Sequence, residues 1–580
     1  MHRTIRFTLA AMLLTLSMPA AHAQTTPAPA DSDQQIREEL QQLKDLIQQQ
    51  NLQLQKQQQE IDSLQKQLQP PAATAQPAAI APGPAASIPI TAAAKSNATG
   101  KPVAASSQEQ IVVGQTNVVE GGGVQQGNGV PYPFEQESPI YLRIGSATFT
   151  PGGWVDFTSI YRTTDVGSGF TTALASIPYS NTVQGGLSEN RLTAANSRLS
   201  LRADETIGSA KVYGYAEADF NGYQPANAYV STNSDSLRLR VFYLNLTAGK
   251  WDILGGQSWS LLTPNRSGLS PFLSEIYNTV HLDTAYSAGM VFARQAQIRA
   301  VYHFTPNFAL GLSAENPEQY SGSTTTFPAL FSTSETDLNS SSGGTTATPN
   351  LHPDVIAKLA YDHKFDDHNW HLEVAGLLTP VAVITPASVT KSATAEDRRE
   401  GGGVAINGNL EIFHDFHLIA DTFWSDGGGR YIGALGPQFV VAQYGSTTSP
   451  FSAELIHAGA GLGGFEYQAT KTTLISLLYG GSYFGRYSSI DPSTDTRVGY
   501  GYIPTSLNST SIAAALSQNR YIQEGSFATV TNVFHRPSYG AVQVITQFSY
   551  IDRTPWYVPA GQPKNAHLFE NYFDIRYVLP

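Results

Sequence analysis

Sixteen stretches of this chain alternate apolar and polar residues with a period of two, and the links between them alternate long and short without a break. The runs are 152–162, 195–205, 209–221, 236–247, 250–261, 296–304, 307–315, 354–363, 369–379, 402–413, 415–424, 455–466, 472–483, 526–535, 540–551 and 566–579. Long links occupy 163–194, 222–235, 262–295, 316–353, 380–401, 425–454, 484–525 and 552–565. Short ones occupy 206–208, 248–249, 305–306, 364–368, 414, 467–471 and 536–539. A soluble sandwich has no reason for such strict alternation. A closed antiparallel barrel in an outer membrane has one, with short turns at the periplasmic end, long loops outside and an even number of strands. Both barrel ends then lie on the periplasmic side. The segment 139–149 reads as a lead-in.

The two faces of the runs agree. Leu199, Leu201 and Ala203 alternate with Arg198, Ser200, Arg202 and Asp204, and Val212, Gly214, Ala216, Ala218 and Phe220 with Lys211, Tyr213, Tyr215, Glu217 and Asp219. Trp370, Leu372 and Val374 oppose His371 and Glu373. In the last run Phe569, Phe573, Ile575, Tyr577 and Leu579 oppose Glu570, Tyr572, Asp574 and Arg576. Side chains on one strand point alternately to the two sides of the sheet. A sixteen-stranded lumen is too wide for side chains alone to fill, so the apolar face is expected to meet lipid. Trp154, Tyr161, Phe220, Trp370 and Tyr577, near strand ends, suit interface girdles.

Composition fits this reading. Charged residues make up 14% of the chain, against about 25% in soluble domains. A formal charge of −12 argues against nucleic acid. Mean hydropathy is −0.19, and no apolar run after the first 25 residues is long enough for a spanning helix.

The N-terminus reads as an export signal over 1–23: His2, Arg3 and Arg6, an apolar stretch Phe7–Met18, then the small-x-small site Ala21-His22-Ala23, with Gln24 starting the mature chain. Cysteine is absent, so disulfides do not hold the fold. After a short tract over 24–35, the stretch 36–68 carries an unbroken heptad. Leu40, Ile47, Leu54, Ile61 and Leu68 occupy a; Ile36, Leu43, Gln50, Gln57 and Leu64 occupy d. Such a narrow stripe is expected to pack against copies of itself as a periplasmic coiled coil, three-stranded for preference, with a lone solvated helix as the alternative. The helix would be roughly 50 Å long at 1.5 Å per residue. Residues 69–137, rich in Pro, Ala, Gly and Ser, read as a linker, and 138–580 as the barrel.

Within the barrel, "NSRLSLRADETIGSAKVYGYAEADF" resembles the second hairpin of sixteen-stranded porins. "LRLRVFYLNL", "LGGQSWSLLTP", "ARQAQIRAVYHF", "LSAENPE" and "GGRYIGALGP" together resemble the DcaP-like porins, a family associated with dicarboxylates. The resemblance spans most of 36–580. It implies a homotrimer in outer-membrane lipid with a periplasmic coiled coil, inserted by the barrel assembly machinery. It also implies that the third long link, 262–295, folds into the lumen. The C-terminal Tyr577-Val578-Leu579-Pro580 departs from the usual terminal aromatic.

No catalytic constellation is apparent: there is no Cys, HExxH, GxSxG or phosphate-binding glycine loop. The Gly triplets at 121–123, 401–403 and 427–429 read as linker or loop, and His414 and His417 as a solvated turn. No cofactor and no metal is expected. Selectivity is the expected chemistry, because a wide pore sorts solutes by the charges at its narrowest part. The third link carries Arg266, Glu275, His281, Asp283 and Arg294, and the inward faces nearby carry Arg198, Arg202, Lys211, Arg238, Arg240, Arg299 and Lys358. A basic wall facing acids on the loop favours small anions, and guanidinium suits carboxylate geometry. The alternative is that these charges pair with one another and only keep the lumen wet. The expected function is passive diffusion of small hydrophilic solutes with preference for anions such as dicarboxylates. Phosphate selectivity, or an adhesin or envelope tether reaching peptidoglycan through the coiled coil, are the other readings. "AEDRRE" (395–400) and 321–348 read as exposed loops.

Overall fold

A computed structural model describes residues 140–580 apart from 223–234, 273–274, 323, 332–351, 434–435, 503–517 and 559–560. The signal, heptad and linker segments lie outside the described residues.

Sixteen strands form the barrel: β1 (Ala147–Arg162), β2 (Arg198–Ile207), β3 (Ala210–Asp219), β4 (Arg238–Ala248), β5 (Trp251–Trp259), β6 (Arg294–Thr305), β7 (Phe308–Glu315), β8 (Asp354–Phe365), β9 (His368–Thr385), β10 (Ala395–Phe413), β11 (Phe416–Asp426), β12 (His457–Thr470), β13 (Thr473–Phe484), β14 (Asn519–Arg536), β15 (Gly540–Pro555) and β16 (Ala566–Val578). Each pairs antiparallel with the next. The sheet closes where β1 meets β16, with Trp154 opposite Val578 and Arg162 opposite Glu570. Closure removes every edge, so all backbone groups within the wall find partners.

All sixteen expected runs are strands. At one end the links shrink to two residues, or three at 537–539. Asp366 and Asp367 both adopt positive φ (45° and 74°) in one such turn, the backbone twist that tight hairpins require. The other end carries every long link. The outward face is apolar: Phe242, Leu244, Ile298, Val374, Leu378, Ile406, Tyr479 and Ile575 are all exposed there. At the short-turn end neighbouring aromatics form a belt: Trp251, Tyr302, Phe304 and Phe308, then Phe365 and Trp370, then Phe413, Phe416, Phe465 and Tyr467. An exposed apolar band edged by aromatics is a surface made for lipid. A Val374→Arg variant is therefore expected to be about 2–4 kcal/mol less stable. Reversible urea unfolding in lipid vesicles measures it, and a change near zero would place that face in water.

The structure corrects several expectations. Trp154 is not a girdle residue. Gly153 adopts φ 122° in the close approach to β2, and Trp154 turns inward, where its Nε1 donates to the Asn196 carbonyl at 2.9 Å. The lead-in contains a short strand, Leu142–Ile144, folded back on the start of β1. "AEDRRE" and the Gly triplet 401–403 lie in β10, because β9 and β10 continue past the other strands to pair Thr385 with Ala395. Their extension is covered by a hairpin of Phe439–Gln443 and Phe451–Leu455. Val381, Val383, Val389, Phe439, Val441, Phe451 and Phe331 pack there as a separate small core. In 321–348, Phe327 and Phe331 join that core, so this part is not simply exposed loop.

The interior is not an empty tube. Leu174, Ile177 and Tyr179 from the first long loop, Leu261, Leu262, Ala288 and Val291 from the third, and Tyr431 and Ile432 from the sixth meet inward side chains such as Ile356, Leu377, Phe423, Ile522 and Leu568. Loops supply the volume that side chains of a sixteen-stranded wall cannot.

Candidate pore constriction

The third long loop, 260–293 between β5 and β6, enters the lumen and runs along its wall. At β8 and β9, Asn265 N donates to Glu373 and Gly268 N to Asp362. At β12 Arg266 pairs with Glu466 at 2.7 Å. Across the barrel, the Leu282 and Asp283 amides donate to Gln547 Oε1 on β15 at 2.7 and 3.0 Å, and His281 Nε2 lies 2.7 Å from Ser526 Oγ on β14. The Ala288 and Gly289 amides donate to Glu524 and to Ser482 Oγ. The loop's backbone groups are thus satisfied by inward polar side chains, which is what permits irregular backbone at membrane depth.

Gly289 marks a close approach of the loop to the wall. Its φ is 91°, and a Cβ there would sit 2.2 Å from the Gly461 carbonyl oxygen and 2.5 Å from Gly481 N. Gly289→Val is expected to lift the loop off β12 and β13 at a cost of about 1–3 kcal/mol. Single-channel recording should then show altered conductance and faster flicker; an unchanged trace would mean that the loop does not bound the path.

The expected site residues separate into distinct groups. Lys358, with no exposed surface, donates from Nζ to Glu373 (2.9 Å), Asn265 Oδ1 (3.0 Å) and the Thr263 carbonyl (2.7 Å). Arg299 donates to Gln297 Oε1 at 3.0 Å and to the Trp259 carbonyl. Glu275 closes a turn inside the loop, accepting from the Ser270 amide at 2.9 Å, and desolvation pushes its carboxyl up to about 7. Asp283 accepts from the Thr172 and Ala285 amides; burial raises its pKa, and Arg162 with these amides opposes the rise. Arg266, Arg299 and Lys358 are buried, so they hold the loop and wall together and do not line open space.

The other group lies between the loop and the wall of β2 to β6. Arg238 grips Asp219 with two bonds, 3.0 and 2.7 Å. Arg240 donates to Glu217 (2.6 Å), Asp219 (2.7 Å) and the Tyr286 hydroxyl (3.2 Å). Arg198 pairs with Glu217 at 3.2 Å and lies over the Trp154 ring. Arg294 sits 5.4 Å from the Trp259 ring centroid. Its Nη1 is buried without a hydrogen-bond partner, and no carboxylate pairs with it among the described residues. Four guanidiniums therefore surround two carboxylates. Below them Arg202 pairs with Asp204 and lies over Tyr213 and Phe272, with Lys211 half-buried on β3. Arg238 keeps 31% of its side chain accessible and Arg202 13%, and Arg294 is half-buried. Arg198 and Arg240 are buried, so the accessible surface in this part of the barrel belongs to Arg238, Arg202 and Arg294 and to the half-buried Tyr286 and Phe292.

Sequence reading placed Glu217 and Asp219 on the inward face but did not count them in the site; they balance half of the guanidiniums. Trp259, Phe272 and Tyr286 were missed. Aromatic residues at inward positions were the available signal, and only the loop's path brings them to the arginines. The acids therefore stand mainly on the wall, where a basic wall facing loop acids was expected.

The pairing registers and the inward loop define the architecture. The fold is a closed sixteen-stranded antiparallel barrel with one long loop turned inward. No protein-family model matches the chain. No curated protein matches it. Among solved structures, it is similar to the outer membrane channel DcaP of Acinetobacter baumannii, with a TM-score of 0.49 and 16% identity over 75% of this chain and 98% of that one. It is also similar to an anion-selective porin from Comamonas acidovorans, at TM-score 0.40 and 11% identity over 75% and 100%, and to OprB of Pseudomonas putida, at 0.41 and 11% over 74% and 94%.

Proposed function

We propose that the chain is an outer-membrane porin of the DcaP-like kind that passes small hydrophilic solutes and prefers small anions, dicarboxylates included. The observation that carries the reading is the cluster of Arg198, Arg238, Arg240 and Arg294 around only Glu217 and Asp219. Two positive charges are left over, the partly accessible Arg238 and Arg294 carry the surface of the cluster, and Arg294 has donors to spare. A carboxylate there would gain charge-assisted hydrogen bonds that a cation cannot. Arg266, Arg299 and Lys358 take a supporting role, holding the inward loop, and Lys211, Arg202, Glu275 and Asp283 border or brace the path.

The heptad over 36–68 fits a periplasmic trimeric stalk joined by the 69–137 linker. It assists assembly of a homotrimer or reaches peptidoglycan, apart from the pore. Purified protein in planar bilayers tests the reading. Anion-selective channels are expected, and deleting 36–68 should leave conductance per pore unchanged. Absence of channels, or cation selectivity, would overturn it.

A further inference from the structure

A furrow runs along the lipid-facing surface of β10 to β14. Its volume is about 640 Å³, and Val404, Ile406, Trp424, Tyr479, Tyr483 and Tyr521 line it over a floor that includes Gly459 and Gly481. A second furrow of about 470 Å³ adjoins it at Tyr479 and continues past Phe527, Phe548 and Phe569. Glycines in neighbouring strands lower the surface while aromatics on either side rise from it. In a bilayer such a trench is filled by hydrocarbon, because water there would lack partners.

What tops the furrow is not hydrocarbon-like. Tyr483 packs against Tyr521 and Trp556 at its loop end, and Trp556 is fixed by donating Nε1 to the Phe484 carbonyl at 2.9 Å. Arg486 and Arg520 both lie on the Trp556 ring, at 4.9 and 4.7 Å from its centroid, and Arg520 also lies 4.8 Å from the Tyr521 centroid. Both arginines are exposed. Neither has an ion-pair or hydrogen-bond partner among the described residues, and the neighbouring stretch 503–517 contains no Asp or Glu. Stacking on a ring orients a guanidinium yet leaves its N–H edge free for an anion. Two exposed arginines oriented on one ring with no carboxylate beside them are a distinct feature of the aromatic interface.

We propose that this furrow and arginine pair form a binding site for a phosphate-bearing lipid of the surrounding bilayer, with acyl chain in the trench and phosphate between Arg486 and Arg520. Charge complementarity selects the headgroup, and the position of the trench within the lipid-facing band selects the chain. The site is separate from the path through the lumen and is measured independently of channel activity.

The test is native mass spectrometry of the detergent-purified full chain, incubated with phosphatidylglycerol or with a diacylglycerol lacking phosphate. Phosphatidylglycerol is expected to be retained and diacylglycerol lost. R486A/R520A should lower the retained phosphatidylglycerol about tenfold, since both charged donors are gone. Gly481→Leu should lower it comparably with the arginines intact. A Cβ at Gly481 meets only ordinary contacts, the nearest at 3.5 Å, so this variant fills the trench without straining the strand. Both variants should keep the heat-resistant electrophoretic mobility of a folded barrel. Unchanged retention in either folded variant, equal retention of diacylglycerol, or full displacement by millimolar inorganic phosphate would overturn the proposal; the last would reveal a free-anion site.

Discussion

In planar bilayers, an R238A/R294A channel is expected to lose anion preference by about tenfold or more, the effect of removing charge-assisted hydrogen bonds to a passing anion worth about 1.5–3 kcal/mol each. The pair is chosen by charge balance. With both gone, Arg198 and Arg240 remain against Glu217 and Asp219, and their contacts of 3.2, 2.6 and 2.7 Å are undisturbed. Asp219 keeps Arg240 as partner, so no buried carboxylate is stranded. The reversal potential in a salt gradient reads the change directly. An anion preference equal to wild type would move the selectivity determinant away from β2 to β6. Replacing Arg299, which is buried against Gln297 and the Trp259 carbonyl, should alter selectivity far less.

Lys358→Ala is expected to destabilise the protein by about 3–5 kcal/mol, the cost of removing one partner of a buried ion pair. Glu373 would keep hydrogen bonds from the Asn407 side chain at 2.7 Å and the Asn265 amide at 3.2 Å and its contact with His371 Nε2 at 3.2 Å, but lose Lys358, the cation with no exposed surface. The loop would lose the two bonds from Lys358 to Thr263 and Asn265. Urea unfolding in lipid vesicles gives the stability, and proteolysis within 260–293 reports release of the loop. A K358M/E373Q double variant should recover most of the loss, because no lone charge is then buried. If the double variant is as unstable as K358A, packing at this position outweighs the ion pair.

These two predictions concern charges that one sequence pattern placed together and the structure separates. Period-two alternation tells which side chains of a strand share a face. It therefore placed Arg198, Arg240, Lys358, Glu217 and Glu373 inside. It says nothing of which carboxylate each cation meets, because those contacts depend on strand register and on where the loop runs. Trp154 shows the limit on the strands themselves: the irregular backbone at Gly153 accompanies a Trp that faces the interior. The charged stretch 395–400 shows another. Beyond the membrane a hairpin is free of the hydrocarbon constraint, so its strands carry charge on their open face while Val381 and Val383 pack beneath the neighbouring hairpin.

The sequence by itself determined the strand count, the alternation of turns and loops and the lipid-facing side. Each follows from local rules: the two-residue period of a pleated strand, the short turn chemistry and the apolar demand of the bilayer. Tertiary structure alone decided which arginines are spent on holding the inward loop and which keep accessible surface. A buried cation must find its partner at a few ångströms in three dimensions, and residues such as Arg240 and Tyr286, or Lys358 and Thr263, are far apart in the chain and meet only because the loop crosses the lumen.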